Sequence, residues 1–555
     1  MSIILFQEGL IFMNNFTFLS SSVPNPTTVW IAVPMLICFF ALMIGIGFAC
    51  RKHSSSVDSF VLGGRSVGPW LTAFAFGTSY FSAVIFVGYA GQFGWDFGLA
   101  STWIGLGNAF IGSLLAWVAL GRRTRVMTQH LGSKTMPDFF EKRYDSKKLK
   151  IIASVIVFIF LIPYTASLYN GLSSLFNNVF SIPYWAVVVI MAVLTGVYVI
   201  FGGYMATAIN DFIQGIIMLV GIIAVIISVL GQNGGFSAAV DAITSSPNAG
   251  PEYTAIFGAD PIFLFFVVVL TSLGTWGLPQ MVGKFYSIKD ESSIKKGTVI
   301  STVFALVVAG GCYFLGGFGR LYFDKMVESG YHDPETGATL FDKVVPTMLE
   351  DLPAVIVSLI IVLVLAASMS TLSSLVLTSS STLTLDVIKP MITKKKEISE
   401  KKSVFIMRVF IVFFIVISAV IAILKDSIWK DSVFIAQMMG VSWGALAGAF
   451  LAPFLYGLYW KKTTRAAVIT SFFFGTGLEI IQLLISIKLF SVADIPVLNF
   501  IFKNSLYSGV FAMVGGLVLV PLVNLFTQKS KPANADEKFS CYDAAVVTTK
   551  KDSIG

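Results

Sequence analysis

The sequence predicts an all-α membrane protein with thirteen transmembrane helices. Its 555 residues are 56% hydrophobic and 12% charged, and the mean hydropathy is +0.83. A soluble domain, by contrast, has about a quarter of its residues charged. A transmembrane helix needs about 20 consecutive, mostly apolar residues. The stretches that meet this requirement are residues 28–50, 68–93, 98–121, 148–175, 182–203, 208–230, 261–283, 297–319, 352–387, 403–424, 431–458, 464–487 and 504–527.

The basic residues predict the direction in which these helices run. The net charge is +8, and lysine and arginine collect in the cytoplasmic loops of membrane proteins. Nine of them lie in residues 122–150 and six in residues 389–402, whereas residues 231–260 contain none. The amino terminus is therefore expected outside and the carboxyl terminus inside. Further cytoplasmic loops are expected to begin at Arg51, Lys284 and Lys461.

Two of the predicted helices carry residues that interrupt helical hydrogen bonding. Residues 74–91 are rich in glycine and hydroxyl side chains, and residues 271–281 contain Gly274, Gly277 and Pro279. Proline lacks an N–H and crowds the preceding turn. In a membrane, freed backbone groups are tolerated only where they are buried in protein or line a cavity. Both segments are therefore predicted to be broken helices.

The two broken helices occupy matching positions in two five-helix repeats, residues 68–230 and 261–458. Four predicted helices separate them, so they run in opposite directions and the repeats are inverted. Matched interruptions of this kind indicate the central site of a secondary transporter. The alternative is that glycine and proline are simply common in membrane helices. The other predicted parts are the amino-terminal segment with the first helix, an outer loop, two accessory helices and a cytoplasmic tail, which are residues 1–67, 231–260, 459–527 and 528–555.

A stripe of small polar residues lies deep in the ninth predicted helix. Ala367, Ser370, Thr371 and Ser374 recur at helical spacing, and Ser373 lies beside them. Uncharged hydroxyl oxygens at membrane depth suit a small hard cation such as sodium. The alternative is that these hydroxyls bond carbonyls of their own helix or let neighbouring helices approach closely.

Two acidic residues also fall within predicted helices. Asp211 lies just inside the sixth, and a charge near the bilayer centre costs about 2.5–3.5 kcal/mol. It therefore needs a partner. One possibility is a sodium ion, and the other is that Asp211 lies at the membrane interface and caps the start of its own helix. Glu479 lies within the twelfth, and no role follows for it or for the carboxyl-terminal tail. No catalytic, nucleotide-binding or metal-ligand spacing occurs, so we expect neither an enzyme nor a nucleic-acid-binding protein.

Four sequence motifs occur in an order typical of one known family. They are V-L-G-G-R-S-V-G-P-W, T-M-P-D-F-F-E-K-R-Y, G-G-Y-M-A-T-A-I-N-D-F-I-Q-G and A-S-M-S-T-L-S-S. Over roughly residues 30–465 the chain resembles the sodium:solute symporter family, especially its proline and pantothenate branches. The resemblance implies a LeuT-type core of two inverted five-helix repeats, with one helix before the core and two after it.

The resemblance also implies sodium sites. The first would use three backbone carbonyls and two hydroxyls, which belong to Thr78, Phe81, Ala367, Ser370 and Thr371. Some members bind a second sodium ion through an aspartate and further serines, and matching residues are present here. These are Asp211, Ser370, Ser373 and Ser374. One or two Na⁺ ions are therefore expected as coupling ions.

The solute is expected between the two broken helices, where a helix amino terminus can receive a carboxylate without a basic side chain. Tyr80 stands where the proline branch has an aspartate, and Ser173 where related members have an arginine. Proline is therefore not supported by its particular residues. The predicted solute contacts are Ser79, Tyr80, Ser82, Tyr164, Thr275, Trp276, Pro279 and Gln280.

The expected function is sodium-coupled import of a small organic solute by alternating access. We expect a carboxylate-bearing solute: an amino acid such as proline, pantothenate or another monocarboxylate. The alternatives are a sugar, a polyol or sialic acid and, from another class, a membrane sensor built on a transporter fold. Besides the solute, the expected partner is the lipid bilayer of a bacterial inner membrane, in which the protein functions as a monomer.

Overall fold

The computed structural model describes residues 26–393, 398–428, 435–487, 489, 491–492 and 495–543. Within these residues the protein is helical and contains no β-strand. Extended backbone pairs only in two isolated bridges, Val67 with Ile288 and His332 with Thr339. The all-α prediction is confirmed for this part of the chain.

Ten helical segments of the described residues are long and apolar enough to cross a membrane. An eleventh crossing results if the bent pair Pro261–Gly277 and Pro279–Tyr286 is counted as one span. The chain is thus a multi-pass membrane protein. The ten segments are Pro26–Lys52, Val84–His130, Lys147–Ser173, Tyr184–Gln232, Glu291–Gly316, Ala354–Ile392, Glu400–Leu424, Gln437–Tyr459, Arg465–Ser486 and Ser505–Phe526.

Shorter helices connect these segments or lie beside them. They are Val57–Leu62, Pro69–Tyr80, Met136–Tyr144, Phe236–Ser245, Phe323–Glu328, Phe341–Leu349, Pro496–Ile501 and Ala535–Phe539.

Two of the ten segments are long enough for two crossings each. Val84–His130 has 47 residues and Tyr184–Gln232 has 49, whereas one crossing takes about 20. Each contains a glycine with left-handed φ, Gly98 at 59° and Gly203 at 57°. A side chain is strained at such a φ, and a Cβ on Gly203 would also lie 2.9 Å from the Phe60 ring. The two glycines therefore mark the points at which these long segments change direction.

The first predicted break is confirmed at Phe81. Helix Pro69–Tyr80 begins with proline in its first turn, where the missing N–H interrupts no helical bond. It ends at Phe81, whose φ of −92° and ψ of 126° are extended. The helix resumes as a π-helical turn, Val84–Tyr89, and such turns are frequent at functional sites. We call residues 69–97 the first broken span.

The second predicted break is confirmed at Leu278. Helix Pro261–Leu273 tightens into the turn Gly274–Gly277, Leu278 is extended, and the chain resumes as helix Pro279–Tyr286 after a bend of 45°. A Cβ on Gly277 would lie 2.8 Å from the Cα of Ala447, so only glycine permits this close approach of the neighbouring helix. We call residues 261–286 the second broken span.

Helix Ala354–Thr382, the serine-rich helix, lies at the centre of the molecule. Every residue from Ile360 to Leu377 is buried. The helix packs against both broken spans and against the long helix Tyr184–Gln232. Because this stretch is buried on all sides, its hydroxyls face other helices rather than lipid.

Candidate functional site

Oxygen atoms of five residues converge where the serine-rich helix meets the first broken span. The Thr371 hydroxyl lies 3.2 Å from the carbonyl oxygens of Thr78 and Phe81 and 3.1 Å from that of Ala367. The Ser370 hydroxyl lies 3.1 Å from the Thr78 carbonyl and 2.9 Å from the Ala367 carbonyl. All five residues are buried. The structure thus brings together the five residues predicted for the first sodium site.

The break in the first broken span makes these oxygens available. In a continuous helix the Thr78 carbonyl would accept from the N–H of residue 82, but the backbone is extended at Phe81. Buried carbonyls need partners, and here hydroxyls of the serine-rich helix supply them. A hydroxyl both donates and accepts, so it can bond the carbonyls or turn its lone pairs towards a cation. This uncharged set of oxygens is chemically suited to a hard monovalent cation.

Two of the four residues predicted for a second sodium site contact an ammonium group instead. Lys284 Nζ donates to Ser374 Oγ at 2.9 Å and lies 3.5 Å from Asp211 Oδ2. Ser374 Oγ also lies 2.8 Å from Ser79 Oγ. Ser373 donates to the carbonyl of Ser370 in its own helix, at 2.8 Å. Of the predicted set, Asp211 and Ser374 therefore share a contact group, and it is a lysine.

The expectation that Lys284 begins a cytoplasmic loop is wrong. It lies in the second half of the second broken span, helix Pro279–Tyr286, and its side chain is only 5% exposed. A buried lysine and a loop lysine look alike in a count of basic residues. One signal was present, however: Gln280 and Lys284 are four residues apart and therefore share one helix face, which places the lysine beside a predicted solute contact.

The predicted solute contacts Thr275 and Trp276 point their polar groups away from the break. The Thr275 hydroxyl donates to the carbonyl of Gly112 at 3.2 Å, and the Trp276 indole donates to that of Ile111 at 3.0 Å. These bonds fasten the second broken span to segment Val84–His130. The structure thus gives their polar groups an anchoring role.

Tyr80 and Ser79 bond across the helices of the site. The Tyr80 hydroxyl donates to the Thr271 carbonyl at 3.2 Å and so joins the two broken spans. The Ser79 hydroxyl donates to the Ala75 carbonyl at 2.6 Å in addition to its contact with Ser374. Both residues therefore lie at the centre, with their polar atoms already bonded.

Three other predicted contacts offer unpaired polar groups. The hydroxyls of Ser82 and Tyr164 lie close to each other, but within the described residues neither they nor the two amide atoms of Gln280 have a hydrogen-bond partner in good geometry. All three residues are buried. A buried polar group without a partner costs about 1–3 kcal/mol, so a ligand or water that bonds these atoms is stabilised. Ser82, Tyr164 and Gln280 are the best candidates for direct solute contact.

Trp443 belongs to the same region and was missed by the sequence analysis. Its ring centre lies 5.9 Å from that of Tyr80 and 6.0 Å from that of Tyr164. Its indole N–H lies beside the Tyr164 hydroxyl but, within the described residues, has no hydrogen-bond partner in good geometry. The available signal was one large aromatic residue within S-W-G-A-L-A-G-A, residues 442–449, where every neighbour except one leucine is small.

A cavity of about 50 Å³ reaches this region. Pro279, Gln280, Lys284 and Ser374 line it at one end and Lys134 at the other, and the Lys134 side chain is 31% exposed. About 10–15 Å³ suffices for one water molecule, so the cavity has room for several. It offers a path between the buried polar groups and the surface that carries the basic loop.

Glu479 lies outside this site. It is buried, and Ser508 donates to its Oε1 at 2.8 Å. Its Oε2 has no partner among the described residues. A Cβ on Gly444 would lie 2.4 Å from Oε1, which shows how closely the last two apolar helices pack on segment Gln437–Tyr459.

Two broken helices that meet beside a buried polar centre are the arrangement of the LeuT-type fold. The solved structure of a Na⁺-coupled sialic acid symporter, in its substrate-bound outward-open state, has this fold. It aligns with a TM-score of 0.70 at 16% identity, over 89% of this chain and 97% of that one.

A sequence model of the sodium:solute symporter family matches residues 60–475, and the chain belongs to this family. A sodium/proline symporter of Staphylococcus aureus is 28% identical over 450 residues, which are 80% of this chain and 84% of the relative. Its counterpart in the bovine strain RF122 / ET3-1 is 29% identical over 451 residues, with the same shares. The resemblance found in the sequence is confirmed.

Proposed function

We propose that the protein is a sodium-coupled symporter that imports a small carboxylate-bearing solute by alternating access. The observation that carries this proposal is the convergence of Ser370 and Thr371 on three carbonyls at the first break. A cation held there joins the first broken span to the serine-rich helix. Sodium is the coupling ion because the family and its Na⁺-coupled structural neighbour both point to it.

In the proposed cycle, sodium binds first and fixes the first broken span against the serine-rich helix. The solute then binds between the breaks and bonds Ser82, Tyr164 and Gln280, whose polar atoms are unpaired within the described residues. Both leave through the cavity lined by Gln280 and Lys134. Moving one charge through about 100 mV yields about 2.3 kcal/mol. With a zwitterionic solute, one sodium ion then sustains a gradient of about 50-fold from the potential alone.

The proposed topology keeps thirteen crossings, with the amino terminus outside and the carboxyl terminus inside. The breaks at Gly98 and Gly203 divide the two long segments, and the bent second broken span supplies one further crossing. The repeats 68–230 and 261–458 then contain five crossings each. Lys134, which belongs to the basic stretch 122–150, lines the cavity, and this supports a cytoplasmic position for that stretch.

An amino acid such as proline is our first candidate solute, because the two relatives that this chain matches over 84% of their length are named sodium/proline symporters. Sialic acid, the solute named for the structural neighbour, is the second candidate. The bacterial relatives also favour a bacterial inner membrane as the location. We propose a functional monomer, since the sodium and solute residues all come from one chain.

Uptake into proteoliposomes tests the proposal. We expect concentrative uptake of one solute from a panel of proline, pantothenate, other monocarboxylates, sialic acid and sugars, only with an inward sodium gradient. Ser370→Ala should abolish the sodium dependence. Ser368→Ala is the matched control, since Ser368 lies on the same helix and bonds only its own helix at Val364.

Equal uptake in sodium and in potassium would remove sodium from the mechanism. So would an Ser370→Ala variant that keeps the sodium dependence of the wild type. If a solute stabilises the purified protein but none is taken up, the sensor alternative is correct instead.

A further inference from the structure

We propose that the ammonium group of Lys284 takes the place of a second coupling cation, so that each transport cycle uses one sodium ion. This inference rests on the proposed function, because it concerns the number of ions that the symporter moves. It concerns the position defined by Asp211 and Ser374, for which the family resemblance implies sodium in some members.

Lys284 is held there from three sides. Its Nζ donates to Ser374 of the serine-rich helix at 2.9 Å and pairs with Asp211 of the long helix at 3.5 Å. It also lies 5.4 Å from the ring centre of Tyr204, within the range of a cation–π contact. A carboxylate, a hydroxyl and an aromatic face therefore surround one ammonium group. A lysine so deeply buried requires such partners.

A second sodium ion does not fit beside this group. Sodium would need the oxygens of Asp211 and Ser374, and Nζ already contacts one oxygen of each. The remaining predicted ligands bond elsewhere: Ser373 bonds the Ser370 carbonyl, and Ser370 faces the first site. Asp211 is also already balanced by one positive charge. Another cation at these oxygens would therefore lie next to the Lys284 ammonium group, and two like charges in close contact repel strongly in the protein interior.

The lysine joins three helices of the core and, through Ser374, the first broken span. It belongs to the second broken span, Asp211 to the long helix and Ser374 to the serine-rich helix, and Ser374 in turn bonds Ser79 of the first broken span. A sodium ion in this place would enter and leave in every cycle. A tethered ammonium group keeps the same contacts available and transports no charge.

The number of bound sodium ions tests the inference directly. We would measure ²²Na⁺ binding per purified protein at saturation, and the Hill coefficient of sodium-dependent thermal stabilisation. The wild type should bind one ion with a Hill coefficient near 1. Lys284→Gln frees Asp211 and should bind two, whereas Lys284→Arg keeps the charge and should bind one. The double variant Lys284→Gln, Asp211→Asn should return to one ion.

Two ions bound to the wild type would overturn the inference and leave the proposed function intact. A folded Lys284→Gln protein that still binds only one ion would also overturn it. No sodium binding by the wild type would refute the proposed function, and the inference with it. If Lys284→Gln does not fold, the wild-type count and the neutral double variant still decide, because neither leaves an unpaired buried charge.

Discussion

Thr371→Val is the most direct test of the proposed sodium site. Valine keeps the β-branched shape of threonine and removes only the hydroxyl, which lies 3.1 to 3.2 Å from three carbonyl oxygens. Thr371 is fully buried, so water does not replace the lost group. We expect a folded protein that binds sodium much more weakly.

The size of the effect follows from the contacts of this hydroxyl. An interaction between a polar group and a charged partner contributes about 1.5–3 kcal/mol. The sodium dissociation constant should therefore rise about 10- to 160-fold. At a sodium concentration 100 times the wild-type Kd, binding stabilises the wild type by about 2.7 kcal/mol. For a 100-fold weaker variant the same concentration contributes only about 0.4 kcal/mol.

The assay is thermal unfolding of the purified protein in mixtures of sodium and potassium chloride at constant ionic strength. Thr371→Ser keeps the hydroxyl and should follow the wild-type sodium curve within a few-fold. Ser368→Ala, whose hydroxyl bonds only the Val364 carbonyl, should follow it as well. A Thr371→Val curve that coincides with that of the wild type would refute the assignment of this hydroxyl to sodium.

Three further predictions concern packing, solute binding and pH. In thermal unfolding, Gly277→Ala should destabilise the protein by about 1–3 kcal/mol, because its Cβ would lie 2.8 Å from neighbouring backbone. The control is Gly283→Ala on the same span, whose Cβ would meet nothing within 4 Å, and it should stabilise the protein slightly. Gln280→Leu should abolish stabilisation by solute and leave stabilisation by sodium unchanged. Burial raises the pKa of Asp138, but the neighbouring lysines, above all Lys150, outweigh this and hold the pKa below its ordinary value. The ion pair thus stabilises the fold above the ordinary pKa, and this stability is lost as the pH falls through the lowered pKa. The stability difference between wild type and Asp138→Asn should therefore shrink progressively as the pH falls below about 5.

The sequence located the breaks and the hydroxyl stripe because both are local signals. Glycine and proline interrupt a helix wherever it packs, and the spacing of Ala367, Ser370, Thr371 and Ser374 places them along one face of any helix. The direction in which that face points is not determined by the local sequence. Whether Thr275 points to a solute or to Gly112 depends on how two helices approach each other, and no spacing within one helix records that.

Lys284 shows the same limit for charge. A basic residue near a helix end is usually cytoplasmic, and only its contact with Asp211, far away in the sequence, reveals a buried pair. Trp443 was missed for a related reason, because only its packing against the rings of Tyr80 and Tyr164 on two other helices places it in the site. Contacts between distant segments were therefore the part that the sequence did not reveal.

The serine-rich helix thus carries two cation positions of opposite character. At the first, neutral oxygens of Ser370 and Thr371 can hold an ion without any fixed countercharge, so the ion can also leave. At the second, Asp211 is paired with a lysine that is part of the chain. Coupling requires an ion that is bound on one side of the membrane and released on the other. Only the first position meets that requirement, and the second then serves to hold three helices in register while the first empties and fills.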